Sequence, residues 1–143
     1  MKRLRLSVLL MLLPAFASMP VLGADDDTPR DVNTIKVQAV SEFVASNKDA
    51  VIIDVRTPQE YELSHVPGAV NINILDDSFT EIAGQLDSKK TYIVYCTKNP
   101  AGGRSMTALA KMQEMGFKEL ISLEGGHVAW TEAELPMSTQ EEE

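Results

Sequence analysis

The stretch KTYIVYCTKNPAGGRSMTALAKM, residues 90–112, holds the chain's only cysteine, Cys96. The apolar run before it, Tyr92 to Tyr95, reads as a strand buried on both faces. A Pro/Gly-rich loop follows. Arg104 then opens a helical run with apolar residues at 106, 109, 112 and 115, stopped by Gly116. A buried strand, a short loop and an amphipathic helix form the repeating unit of a parallel sheet. The lone thiol falls between the strand and the helix N-terminus.

The flanking sequence repeats that grammar. AVIIDVR, residues 50–56, is a second β-branched apolar run and ends in Asp54 and Arg56. Next, Thr57 reads as an N-cap, with Pro58 at the first helical position and Glu60 three residues on, a capping box. VPGAVNI, 66–72, reads as a turn into a short strand. In DDSFTEIAGQLD, 76–87, Phe79, Ile82, Ala83 and Leu86 share a helical face. KELISLEGG, 118–126, is a strand ending in two glycines, and HVAWTEAEL, 127–135, a last short helix closed by Pro136. Upstream, residues 34–37 look like a strand and 38–46 like a short helix carrying Val40, Phe43 and Val44. The expected fold is α/β, a mainly parallel five-stranded sheet with helices on both faces. Its functional crevice belongs at the carboxyl ends of the strands, where Asp54, Arg56, Cys96 and Arg104 all fall.

The N-terminus reads differently. MKRLRLSVLLMLLPAFASMPVLGA, residues 1–24, has Lys2, Arg3 and Arg5, an apolar run from Leu6 to Leu13, and small residues at Gly23 and Ala24. That is the order of a secretory signal peptide, and the apolar run is far short of the roughly 20 residues needed to span a bilayer. The expected organisation is a signal peptide at 1–24, a linker at 25–33, one domain at 34–136 and an acidic tail at 137–143, in a periplasmic or secreted protein with no membrane attachment after cleavage. Removing the leader removes three of thirteen basic residues and none of twenty-one acids. That leaves ten cations against twenty-one anions, a net charge of about −11. Nucleic acid and anionic membranes are poor partners for that surface.

Export sharpens the question about Cys96, which has no second cysteine to pair with and is left as a free thiol or an intermolecular partner. One Cys with His65 and His127 offers too few soft ligands for a zinc or iron–sulfur site, so no metal or cofactor is expected. The start of the helix near Arg104 supplies a positive partial charge. Successive N–H groups of Thr97, Lys98, Asn99, Ala101, Gly102 and Gly103 would form an anion-binding nest, with the glycines easing positive φ. Arg104 and Lys98 are the nearby formal cations, and all of these influences favour a thiolate. An inert buried thiol at a strand end is the other reading of the same pattern.

Two motifs carry a resemblance. VIIDVRTPQEYELSHVPGAVNI, residues 51–72, resembles the N-terminal signature of rhodanese-like domains, with Asp54, Arg56, Glu60, His65, Pro67, Gly68, Ala69 and Asn71 in register. The strand and loop around Cys96, the helix after Arg104, and Gly125, Gly126 and Trp130 resemble the catalytic strand and the closing signature of the same family. The resemblance covers about residues 34–136. It implies a sulfurtransferase of the single-domain thiosulfate type. Cys96 would take the sulfane sulfur of thiosulfate or a similar small anion as a persulfide and pass it to cyanide or a thiol. The loop N–H groups and a cation at Arg104 would hold the anion. The same resemblance gives Asp54 and Arg56 a structural role, a salt bridge anchoring the loop with Glu60 or His65. His65 is otherwise structural, His127 a capping residue, and Lys98 either an attracting cation or simply exposed.

The loop departs from the family pattern. The usual spacing places four residues between the cysteine and the basic residue, and related phosphatases and arsenate reductases have five. TKNPAGG places seven here, and Pro100 lacks an N–H. The extra residues would bulge away, widen the cradle for a larger anion, or spoil it. Two alternatives therefore stand beside sulfur transfer: a cysteine-dependent phosphatase or arsenate reductase on the same fold, and a non-catalytic binding or sensor module.

Overall fold

The apolar runs become the strands of one sheet: β1 (Asn33–Ile35), β2 (Val51–Asp54), β3 (Val70–Asn71), β4 (Thr91–Tyr95) and β5 (Glu119–Leu123). The computed structural model describes Pro29, residues 31–99 and residues 103–140. Strand order is β1-β5-β4-β2-β3, and every ladder of this sheet is parallel. The helices are α1 (Val40–Ser46, entered through a 3-10 turn at Val37–Ala39), α2 (Pro58–Leu63), α3 (Phe79–Ala83), α4 (Arg104–Glu114) and α5 (Gly126–Glu132).

Strand pleating sorts the core into two layers, because alternate side chains leave opposite faces of a strand. In β4 and its extension, Tyr92, Val94 and Cys96 join Ile53 and Val55 against Phe79 and Ala83 of α3 and Ala108, Leu109 and Met112 of α4. Ile93 and Tyr95 join Ile52 on the other face, against Val40 of α1, Tyr61 of α2 and Trp130 of α5. The thiol is thereby directed to the layer that holds α4. Helices α2 and α4 lie on opposite faces yet follow the adjacent strands β2 and β4. Both helix N-termini therefore open onto the same crevice at the carboxyl edge.

Several local expectations meet the structure directly. Thr57 caps α2 through the full capping box with Glu60, and Pro58 opens the helix. Gly116 ends α4 with φ +94°, a value glycine adopts at no steric cost. In α3 the pattern over-reached: the helix stops at Ala83, Phe79 and Ala83 are buried, and Ile82 is 44% exposed. With little more than one turn, only the i, i+4 pair faces the sheet. β1 begins at Asn33, and Val32 already packs against the core, so the last residues of the expected linker belong to the domain. Past Pro136 the chain is still held, because His65 and Ser138 exchange backbone hydrogen bonds in both directions, at 2.9 and 3.0 Å. The expected leader, most of the linker and Glu141–Glu143 lie outside the described residues. Among the described residues no helix is long and apolar enough to cross a membrane.

Candidate active site

Cys96 sits one residue past β4 and is 3% exposed. Neither of its backbone groups is paired in the sheet. Its N–H donates to Asn99 Oδ1 at 2.7 Å, and its carbonyl accepts from His127 N–H at 3.0 Å. The next carbonyl, of Thr97, accepts from Val128 N–H at 2.9 Å, so the first turn of α5 grips the start of the loop. That grip needs a bare backbone at Gly126: a Cβ there would lie 2.5 Å from the Cys96 carbonyl oxygen, and φ is +58°. The Cys96 sulfur lies 3.3 Å from Ser105 Oγ, in the first turn of α4. A serine hydroxyl both donates and accepts, so it donates to the sulfur whenever the thiol is ionised, beside the positive end of α4.

A carboxylate closes the loop at its base. Glu60 receives Arg104 in a bidentate pair, at 2.6 and 2.9 Å, and Thr97 Oγ1 at 3.2 Å, while Arg104 also donates to Thr97 Oγ1 at 2.8 Å. Thr97 and Arg104, the two ends of the unusual spacing, thus share one anchor on α2. The hydrogen bond from Arg104 holds the Glu60 carboxyl well below the usual carboxylate range, and that bond likewise raises Arg104. Glu60 also remains bound to the Thr57 N–H and hydroxyl of the capping box.

Behind this pair lies a fully buried one. Asp54 accepts from the Arg56 backbone N–H at 2.9 Å, from its guanidinium at 2.6 Å, and from Tyr95 hydroxyl at 2.7 Å. Tyr95 Oη in turn accepts from Val66 N–H at 3.1 Å, and burial drives its ionisation far upward. Arg56 also donates to the Ser64 carbonyl, and Asn71 Nδ2 ties the Asp54 and Arg56 carbonyls together. His65 is buried, stacks on Tyr61 at 3.7 Å and hydrogen-bonds the Tyr61 carbonyl through Nδ1. His127 Nε2 meets Ser64 Oγ at 3.0 Å; burial, then the Arg56 charge, lowers its pKa from the ordinary 6.5.

Compared with known proteins, residues 37–133 match the family model described as the rhodanese-like domain. The chain belongs to the rhodanese-like domain family. This rhodanese-like chain is 29% identical over 112 residues to a sulfurtransferase of Allochromatium vinosum, covering 77% of this chain and 98% of that one. It is 32% identical over 81 residues to thiosulfate sulfurtransferase GlpE of Pseudomonas syringae, covering 57% of this chain and 72% of the relative. Among solved structures it superposes on a rhodanese-related protein from Thermoplasma volcanium with a TM-score of 0.64 at 26% identity, covering 76% and 99% of the two chains.

Within this rhodanese-like domain the residues singled out from sequence fall into two groups. Cys96, Thr97, Asn99, Gly103, Arg104 and Glu60 gather at the carboxyl end of β4, and Lys98 stands exposed there. Asp54 and Arg56 lie behind them and pair with each other and with Tyr95, while Glu60 turns to Arg104 and His65 to Tyr61. Ala101 and Gly102 lie outside the described residues. Gly103 takes φ −79° as the N-cap of α4, and among the described residues of the loop Asn99 takes the left-handed conformation, at φ 49°. Asparagine tolerates it because its short amide bonds the local backbone. Sequence reasoning missed Ser105, Tyr95 and Ser122. A signal existed for Ser105, a hydroxyl in the first turn beyond the cradle. None existed for the other two, whose partners are Asp54 and Val66 for Tyr95 and the loop residue Asn99 for Ser122, all far from them in sequence.

Proposed function

We propose that the chain is an exported sulfurtransferase in which Cys96 carries sulfur as a persulfide, taken from thiosulfate or a similar donor and given to a thiol or cyanide. In the first step the Cys96 thiolate forms a bond to the outer sulfur of thiosulfate. The S–S bond of the donor breaks, and sulfite leaves with the electron pair. In the second step the acceptor attacks the outer sulfur of the persulfide, and the Cys96 thiolate departs. The observation that carries this reading is the placement of the Cys96 sulfur against Ser105 Oγ at the N-terminus of α4 in a rhodanese-like domain. Membership of a family with sulfurtransferase relatives supports it, and the N-terminal segment supports export.

Phosphate-ester or arsenate chemistry asks for a guanidinium turned to the substrate's oxygens. Arg104 instead spends both terminal nitrogens on Glu60 and Thr97, which favours sulfur transfer. The test is intact-mass analysis of unreduced protein. Thiosulfate should add about 32 Da, one sulfur atom, and cyanide should remove it. A Cys96→Ser protein that still releases thiocyanate sinks the proposal.

A further inference from the structure

The loop after Cys96 was expected to bind substrate through its N–H groups, yet one of its side chains turns the other way. Asn99 folds back beneath the loop. Its Oδ1 accepts the Cys96 N–H at 2.7 Å, and its Nδ2 donates to the Val94 carbonyl at 3.3 Å and to Ser122 Oγ at 3.1 Å. The chemistry of the partners fixes the amide orientation, because an N–H needs an acceptor and a carbonyl needs a donor. Three further facts make this a built seat. Ser122 is 2% exposed on β5 and pairs with Val94 in register. Asn99 takes φ 49° to reach inward. Gly126 leaves room for the amide, since a Cβ there would stand 2.9 Å from Asn99 Oδ1.

We propose that Asn99 is a positioning residue that fixes the nucleophile: its side-chain amide stands in for a missing strand partner at the end of β4 and sets the backbone from which the Cys96 sulfur projects. The β4–β5 ladder ends at Val94↔Ser122, so the Cys96 N–H would otherwise be a buried donor without a partner. Asparagine suits this seat because one side chain must offer an acceptor and a donor at once. Aspartate has the same shape but sets a carboxylate oxygen against the Val94 carbonyl. Part of the long spacing between Cys96 and Arg104 is thus structural, with Asn99 drawn under the site while Glu60 holds both ends. The inference rests on Cys96 being the reacting group.

The test uses the full chain, ¹⁵N-labelled, as wild type, Asn99→Ala, Asn99→Asp and Ser122→Ala. Persulfide formation is followed by intact mass across a range of thiosulfate concentrations, and exchange of the Cys96 amide proton by NMR. Asn99→Ala should lower the saturating rate about 10- to 100-fold, with the half-saturating concentration nearly unchanged, as for a misplaced reacting group. Asn99→Asp should lower the saturating rate to a similar extent and, through its added negative charge beside Cys96, also raise the half-saturating concentration of the anionic donor. Asn99→Ala should also abolish protection of the Cys96 amide. Ser122→Ala removes one anchor of the amide and should lower the rate about two- to fivefold; if Asn99→Ala does not fold, this variant decides. A loss confined to the half-saturating concentration would mean that Asn99 binds the donor, and would overturn the inference. So would a saturating rate and amide protection equal to wild type. If the wild type takes up no sulfur, the proposed function fails by itself, and Cys96 amide protection in wild type against Asn99→Ala still decides the role of Asn99.

Discussion

Two Arg–carboxylate pairs stand at the carboxyl edge of the sheet, made of the same chemistry and placed for different work. Asp54 and Arg56 are 0% and 4% exposed and close a local circuit two residues apart. Glu60 and Arg104 are 35% and 27% exposed and reach across 44 residues, from a helix on one face of the sheet to a helix on the other. The buried pair surrounds its charges with Tyr95 and the Arg56 N–H, so it belongs to the scaffold. The half-exposed pair holds the loop beside Cys96 and leaves its charges within reach of water and ions. Burial, rather than the identity of the partners, separates architecture from site.

The comparison breaks most violently at the buried pair. Arg56→Met would strand the Asp54 carboxylate in the interior and should cost about 3–5 kcal/mol in urea unfolding. A loss below about 1 kcal/mol would mean that Asp54 finds water or another donor. Tyr95→Phe is milder, because Asp54 keeps Arg56 while the Val66 N–H loses its acceptor. It should cost about 1–3 kcal/mol, with Cys96 reactivity little changed. At the half-exposed pair the order of effects reverses. Glu60→Gln preserves the capping box and should change stability by less than about 1 kcal/mol. It also relieves Arg104 of its counter-charge, so the half-saturating concentration of thiosulfate should fall about two- to fivefold at low salt and converge on wild type at high salt. An unchanged value would show that Arg104 does not sense the donor.

The smallest effect separates the two regions by pH. His127 faces the buried pair and titrates below its ordinary 6.5 in the folded chain, so the unfolded chain binds more protons in that window. Stability should therefore fall as the pH drops from about 6.5, and the slope should vanish in His127→Gln. Glu60 is depressed from its ordinary 4.5, so its contribution is full above that value and is lost on further acidification. Its exposure keeps this second step shallow. A Glu60→Gln protein with an unaltered acid limb would contradict the assignment.

Much of the architecture was legible because it is written locally. The β-branched runs at 51–54 and 91–95, the capping box at Thr57 and the stop at Gly116 each specify their element within a few residues. The thiol's address between a strand and a helix could be read the same way. What could not be read is set by distance in sequence. Nothing near Arg104 announces that Glu60 will meet it, and nothing near Cys96 announces Ser122. The left-handed turn at Asn99 was hidden for the same reason, because the three hydrogen bonds that hold its amide reach back to Val94 and Cys96 and across to Ser122. Short helices blur the signal as well, as the exposed Ile82 of α3 shows.

The pleat of β4 places Tyr92, Val94 and Cys96 in one layer and Ile93 and Tyr95 in the other. A strand therefore counts in twos, and the thiol's surroundings depend on whether an odd or an even number of residues precedes it. Deleting one residue from 91–94 would turn the sulfur toward Trp130 and Tyr61, away from Ser105, and would bring the Tyr95 ring into the place beside α4. Such a chain would keep its cysteine and its loop, and would have an inert thiol. The chemistry at Cys96 is in that sense a matter of parity, fixed five residues before the loop that performs it.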